Sequence, residues 1–167
     1  MENPDGNGEA DAFWDFSTAL YARSGVEAAL LALQDVDGLE INLVLFCLFA
    51  GGRGQSLDGA SVAAMQGVGY IWGREVVRPL RAARRQLKPL SENGTAAALR
   101  EEVKKVELAA EKAMQAALAE LLTPAGEGGR LVAEANLAAL IMAEGLAMTP
   151  ANAGALGTVL DAAFGSG

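Results

Sequence analysis

Histidine is absent from this 167-residue chain, and cysteine occurs once. The missing imidazole excludes Ser-His and Cys-His nucleophilic dyads, His-ligated zinc or haem, and di-iron bundles that need Glu-x-x-His. A lone thiol closes no internal disulfide. Cys47, set within the run Leu43 to Ala50, reads as a small buried apolar residue rather than a nucleophile. That run is the longest nearly pure apolar stretch, far short of the roughly 20 residues a membrane span needs. Aromatic residues make up 5% of the chain and β-branched ones are sparse, which disfavours strands. Positive charge is also scarce. The formal net charge of −8 is the wrong sign for general nucleic-acid or anionic-membrane binding. Phosphate- and dinucleotide-binding glycine motifs are missing too, because Gly51-Gly52-Arg53-Gly54 has no strand ahead of it. No cofactor and no metal are expected.

What is present is a chain that is 51% apolar and rich in alanine and leucine, the strongest helix formers. The expected fold is all-α, a single-domain bundle of about six or seven helices over residues 11–165. The opening stretch, residues 1–10, is acidic and turn-rich without a basic-then-apolar leader pattern, and reads as a disordered tail. Together with the single thiol this points to a reducing, cytoplasmic setting. Gly38 suits a left-handed cap after a helix ending near Asp35, Asp58 or Ser56 a helix start, and Thr149-Pro150 another. The stretch from Leu39 to Ala50, apolar nearly all round, marks the centre of the core. Residues 89–95 form the clearest linker-like turn. Beyond it Leu99, Val103, Val106, Ala110, Ala113 and Ala117 repeat at 4 and 3, close to a heptad seam.

Six of the thirteen basic residues fall between Arg74 and Lys88. Arg74, Arg78, Arg81, Arg85 and Lys88 share an arc of roughly 80° along a stripe about 20 Å long, with Arg84 beside them. Trp72, Val76, Leu80, Ala83 and Leu87 are expected to face the core. Pro79 either kinks this helix or restarts it, so the surface reading is safest for Arg81, Arg84, Arg85 and Lys88. Arginine forks suit carboxylates and phosphates, so the natural partners are an acidic protein surface or a small anionic ligand. The competing reading pairs these arginines with the chain's own acidic helix, which bears Glu101, Glu102 and Glu107.

A polar pocket is the other candidate. Gln34 and Asn42 stand among apolar residues, where an amide without partners costs about 1–3 kcal/mol. Asn42 either caps a helix or shares a pocket with Gln34, Asp35 and an arginine of the basic helix. No nucleophile is evident there, so binding is favoured over catalysis, and an enzyme acting on an anionic metabolite through Asp35, Asn42 and Arg81 is the alternative. Asp35-Val36-Asp37-Gly38-Leu39-Glu40 crowds oxygens around a glycine, but glycine is fourth rather than sixth and Phe46 stands where calcium needs a glutamate.

The strings Leu33-Gln34-Asp35, Gly38, Ile41-Asn42-Leu43 and Trp72, with Val76-Val77-Arg78-Pro79-Leu80-Arg81 and Arg84-Arg85-Gln86-Leu87-Lys88, resemble a known family. It comprises small bacterial proteins described only as conserved hypothetical proteins or a domain of unknown function. The resemblance covers about Phe16 to Lys88. It implies a bacterial, cytosolic, all-helical protein and transfers no activity or catalytic residues.

Overall fold

A computed structural model describes residues 4–92 and 94–166, and among them every regular element is helical. α1 spans Pro4–Tyr21, α2 Val26–Asp37 and α3 Ile41–Gly52. α4 (Gly59–Val68), a π-helical segment (Gly69–Val77) and α5 (Arg78–Leu87) follow without a break as one rod. A short 3-10 turn at Lys88–Leu90 leads to α6 (Gly94–Ala119), then α7 (Arg130–Ala143) and α8 (Pro150–Phe164). With the rod counted once, the described residues make seven helices. α3 is the axis of the bundle: every residue from Ile41 to Gly51 is buried, as expected of a helix apolar all round. α7 covers one side of it, and α1 stacks Phe13 on Phe49 at 5.0 Å and edge-on to Phe46. Around that axis α1 packs on α6, α2 on α8 and α5 on α6.

The local chemistry explains most boundaries. Gly38 adopts φ 71°, and its N–H and that of Leu39 bond back to Gln34 and Leu33, closing α2 as the sequence predicts. Asp58 caps α4 through the Ser61 N–H at 2.8 Å, and Thr149 and Asn152 form a reciprocal cap on α8. Two starts differ from expectation. α3 begins at Ile41 rather than Leu39, with Glu40 as its cap. α1 begins at Pro4 rather than Asp11, so the described part of the expected tail is helical and residues 1–3 lie outside the described residues. A proline suits a first turn, whose N–H has no helical acceptor, and Glu9 anchors the extension by an ion pair with Arg53.

Pro79 stands in the first turn of α5, where α-helical geometry resumes directly after the π-helical segment. A proline ring clashes with the carbonyl four residues back in a regular helix. Here the preceding turn is widened, and the Arg78 N–H bonds to the Gly73 carbonyl five residues back. The wide segment also lets α3 approach closely. A Cβ on Gly69 would stand 2.9 Å from the Leu43 side chain, and one on Gly73 2.7 Å from the Glu40 carboxylate. A larger residue at either position would require the Leu43 or Glu40 side chain to shift.

Two expected faces are rotated by about one residue. The rod buries Gly73 and Val77, with Arg81 and Arg84 half-buried; of the expected face Trp72, Val76, Leu80 and Leu87 are half-buried, Trp72 against the core, and Ala83 is exposed. α6 buries Glu107, Ala110, Met114, Gln115 and Leu118, and leaves Leu99 and Val106 of the expected seam exposed. The physical reason is an exchange: each helix turns its apolar edge slightly outward to bring arginines of one against glutamates of the other. The turn at 89–95, of which Asn93 lies outside the described residues, returns α6 antiparallel along α5 and makes that exchange possible.

Candidate functional site

The rotation divides the basic stripe. Arg81 turns inward and forks between two carboxylates of α6, its Nε donating to Glu107 Oε1 at 3.1 Å and an Nη to Glu111 Oε1 at 2.7 Å. Arg84 grips both oxygens of Glu107, the second through an Nη at 3.3 Å. These side chains retain little solvent: 16% exposure for Arg81, 24% for Arg84 and 8% for Glu107. The expected open surface therefore fails at Arg81 and Arg84, the two residues that reading favoured alongside Arg85 and Lys88. Burial alone would raise the Glu107 carboxyl, but the hydrogen bonds and charges of Arg84 and Arg81 outweigh it, and its pKa is lowered. One turn on, burial outweighs the single arginine contact, and the Glu111 pKa is raised.

The other four cations point outward. Arg78, Arg85 and Lys88 are exposed and have no acidic partner among the described residues. Arg74 sits 5.2 Å from the centre of the exposed Tyr70 ring and 3.6 Å from Glu75. Arg74 and Arg78 also border a surface hollow of about 390 Å³ with Gln66, Tyr70, Glu40 and Glu144.

Behind the inward arginines lies a cavity of about 460 Å³ between α1, α3 and α6, within the range of small-molecule sites. Trp14, Tyr21, Ile41, Leu45 and Leu108 give it apolar walls, while Arg81 and Glu111 border it on one side. Ser17, Asn42 and Gln115, all buried, supply its polar surface. Of the pocket expected around Gln34, Asp35, Asn42 and an arginine, Asn42 and Arg81 line this cavity, whereas Gln34 and Asp35 do not. The Gly38 cap is the reason, since it ends α2 with Gln34 half-buried and Asp35 exposed on another side of the bundle.

Sequence reasoning missed Gln115, which looked like one polar residue in an alanine-rich helix. Its Nε2 donates to Asn42 Oδ1 at 2.9 Å and to Ser17 Oγ at 3.0 Å. Asn42 in turn donates to Glu40 Oε1 at 3.4 Å. It also missed Glu40, although a carboxylate two residues before an asparagine at a helix start is a capping signal.

Nucleophilic chemistry gains no support. Cys47 is buried, its thiol pushed well up by desolvation, and it donates to the Asn136 carbonyl at 3.6 Å. Among the described residues no group of histidine, cysteine and carboxylates is placed to hold a metal, and no helix is long and apolar enough to cross a membrane. Residues 12–118 match the family model described as Protein of unknown function (DUF2390). The chain belongs to that family. The DUF2390 match runs from α1 almost to the end of α6, so it contains the arginine–glutamate exchange and all the cavity-lining residues named above, while α7 and α8 lie beyond it. No curated protein and no solved structure matches the chain.

Proposed function

We propose that this is a non-enzymatic binding protein of the bacterial cytoplasm that docks an acidic surface of a partner protein through Arg74, Arg78, Arg85 and Lys88. The observation that carries this reading is that Arg78, Arg85 and Lys88 have no acidic partner among the described residues, on a chain with 21 acidic residues to 13 basic ones. Intramolecular neutralisation is within reach of this helix, as Arg81 and Arg84 illustrate, yet Arg78, Arg85 and Lys88 are left open among the described residues. Tyr70 and Ile71, both exposed, add an aromatic and an aliphatic side chain at the same end of the rod. Arginine beside aromatic surface is the composition of interface hot spots. The surrounding acidity opposes nucleic acid, whose phosphates would meet a net negative molecule.

Affinity capture from native cytosol tests the proposal. Partner recovery should fall steeply with salt and vanish on replacing Arg78 and Arg85 with glutamate, with the melting temperature nearly unchanged. Recovery of the same partner by that variant would overturn it.

A second reading, catalysis on an anionic metabolite, draws on Asn42, Arg81 and Glu111 bordering one cavity. An anion there would compete with Glu107 and Glu111 for a guanidinium already held twice. Binding without chemistry is the better reading.

A further inference from the structure

The cavity between α1, α3 and α6 carries one carboxylate that is only half engaged. Glu111 borders it and gives Oε1 to the Arg81 guanidinium at 2.7 Å. Its Oε2 has no hydrogen-bond partner among the described residues. That oxygen is not sealed in, since the Glu111 side chain keeps 25% of its surface, against 8% for Glu107 one turn earlier. Arg81 does not neutralise this corner, because Glu107 shares it. Tyr21, on the α1 wall, registers the balance. Burial raises its pKa, and the negative field of Glu111 acts on it more strongly than the positive field of Arg81, with Glu27 and Glu40 adding to the negative side. Lys112, 5.8 Å from the centre of the Trp14 ring, pairs with Asp11 at 3.9 Å and does not line the cavity.

We infer that this cavity binds an amine cation carried on a flat aromatic ring, its ammonium donating to Glu111 Oε2 and its ring lying among Trp14, Ile41, Leu45 and Leu108. Such a bond is charge-assisted, and it is formed where burial already disfavours the carboxylate charge and a second cation has most to offset. The apolar and aromatic walls favour a ring over a flexible polar chain, and a volume of about 460 Å³ accommodates a bicyclic ring with a short arm. An anion would have to displace Glu107 or Glu111 from Arg81, whereas a cation leaves both contacts in place. The site is separate from the outward arginines, so partner capture and amine binding succeed or fail independently.

Calorimetric titration of the full chain at neutral pH with tryptamine and with tryptophol, its uncharged hydroxyl counterpart, tests the inference. The wild type should bind tryptamine at least about tenfold more tightly than tryptophol. Glu111→Gln keeps an oxygen for Arg81 but removes the charge, and should erase that preference while leaving tryptophol binding in place. Glu102→Gln, at an exposed carboxylate of the same helix, should preserve it, which separates a contact in the cavity from the general attraction of an acidic chain for a cation. Leu108→Trp, a change at an exposed position on the cavity wall, should obstruct both probes. Equal affinity for the two probes in the wild type, or no saturable binding of either, would overturn the inference. So would a preference that survives Glu111→Gln, one that is lost in Glu102→Gln, or undiminished tryptamine binding by Leu108→Trp. Should Glu111→Gln fail to fold, the wild-type ratio with the Glu102→Gln and Leu108→Trp arms decides the question.

Discussion

Arg84 and Arg85 are neighbours in sequence and opposites in physics. Arg84 is held by both oxygens of a buried carboxylate, whereas Arg85 is exposed and unpaired among the described residues. The same division separates Arg81 from Arg78. A cation's contribution is thus set by where its helix meets the next one, and a stripe of like residues is not one surface. The inward pair belongs to the fold: it holds α5 to α6 with charged groups that have given up most of their water. The outward row retains its water and contributes little to stability, which leaves it free for another molecule.

The comparison breaks most decisively at Glu107. Replacing it with alanine leaves Arg81 with one carboxylate and Arg84 with none in a largely desolvated seam, and should cost about 3 kcal/mol in urea unfolding. A loss no larger than that of an exposed charge would erase the distinction between inward and outward arginines.

Acid titration sharpens it next, because the two glutamates of the seam carry opposite signs. The folded Glu107 value lies below the ordinary 4.5, so its stabilisation is complete above 4.5 and is lost as pH falls through the lowered value. The folded Glu111 value lies above 4.5, so its contribution is complete below 4.5 and is lost as pH rises through the raised value. Melting temperature followed across this range should show Glu107→Gln removing the acid-side loss. Glu111→Gln should instead gain on the wild type as pH rises above 4.5. The same pH profile in both variants would contradict the geometry.

Smaller effects are expected outside. Arg85→Ala with Lys88→Ala should shift stability by less than about 1 kcal/mol while weakening partner capture. Smallest of all is Val106→Gln on the exposed side of α6, within about 0.5 kcal/mol by thermal melting, since the buried seam runs through Glu107 instead. A large loss at Val106 would restore the seam that the heptad pattern suggests.

Much of the fold was legible because it is written locally. Gly38, Asp58 and Thr149-Pro150 act within four residues, and the all-apolar third helix has only one place to go. The candidate site is less legible because its decisive contacts span 23 to 30 residues between Arg81, Arg84 and α6, and 98 between Gln115 and Ser17. A helical wheel places Arg81 in the middle of the basic arc and treats Glu107 as one more solvated carboxylate. Neither periodicity nor composition reveals that the two helices roll toward each other. Intramolecular pairing was open on the sequence, but which arginines would pair was not.

The π-helical segment gives the rod slack. Each wide turn holds one residue more than an α-turn, so the stretch Gly69–Val77 stores chain length that the α-helical parts do not. Removing a residue there, such as the exposed Ile71, should be absorbed by tightening one turn to α-geometry, with Arg81 still reaching Glu107. Removing one between Arg78 and Arg81 has no such reserve. It would swing the arginines beyond it by about 100° and uncouple α5 from α6. Tolerance to a length change is therefore confined to the part of the helix that precedes the proline.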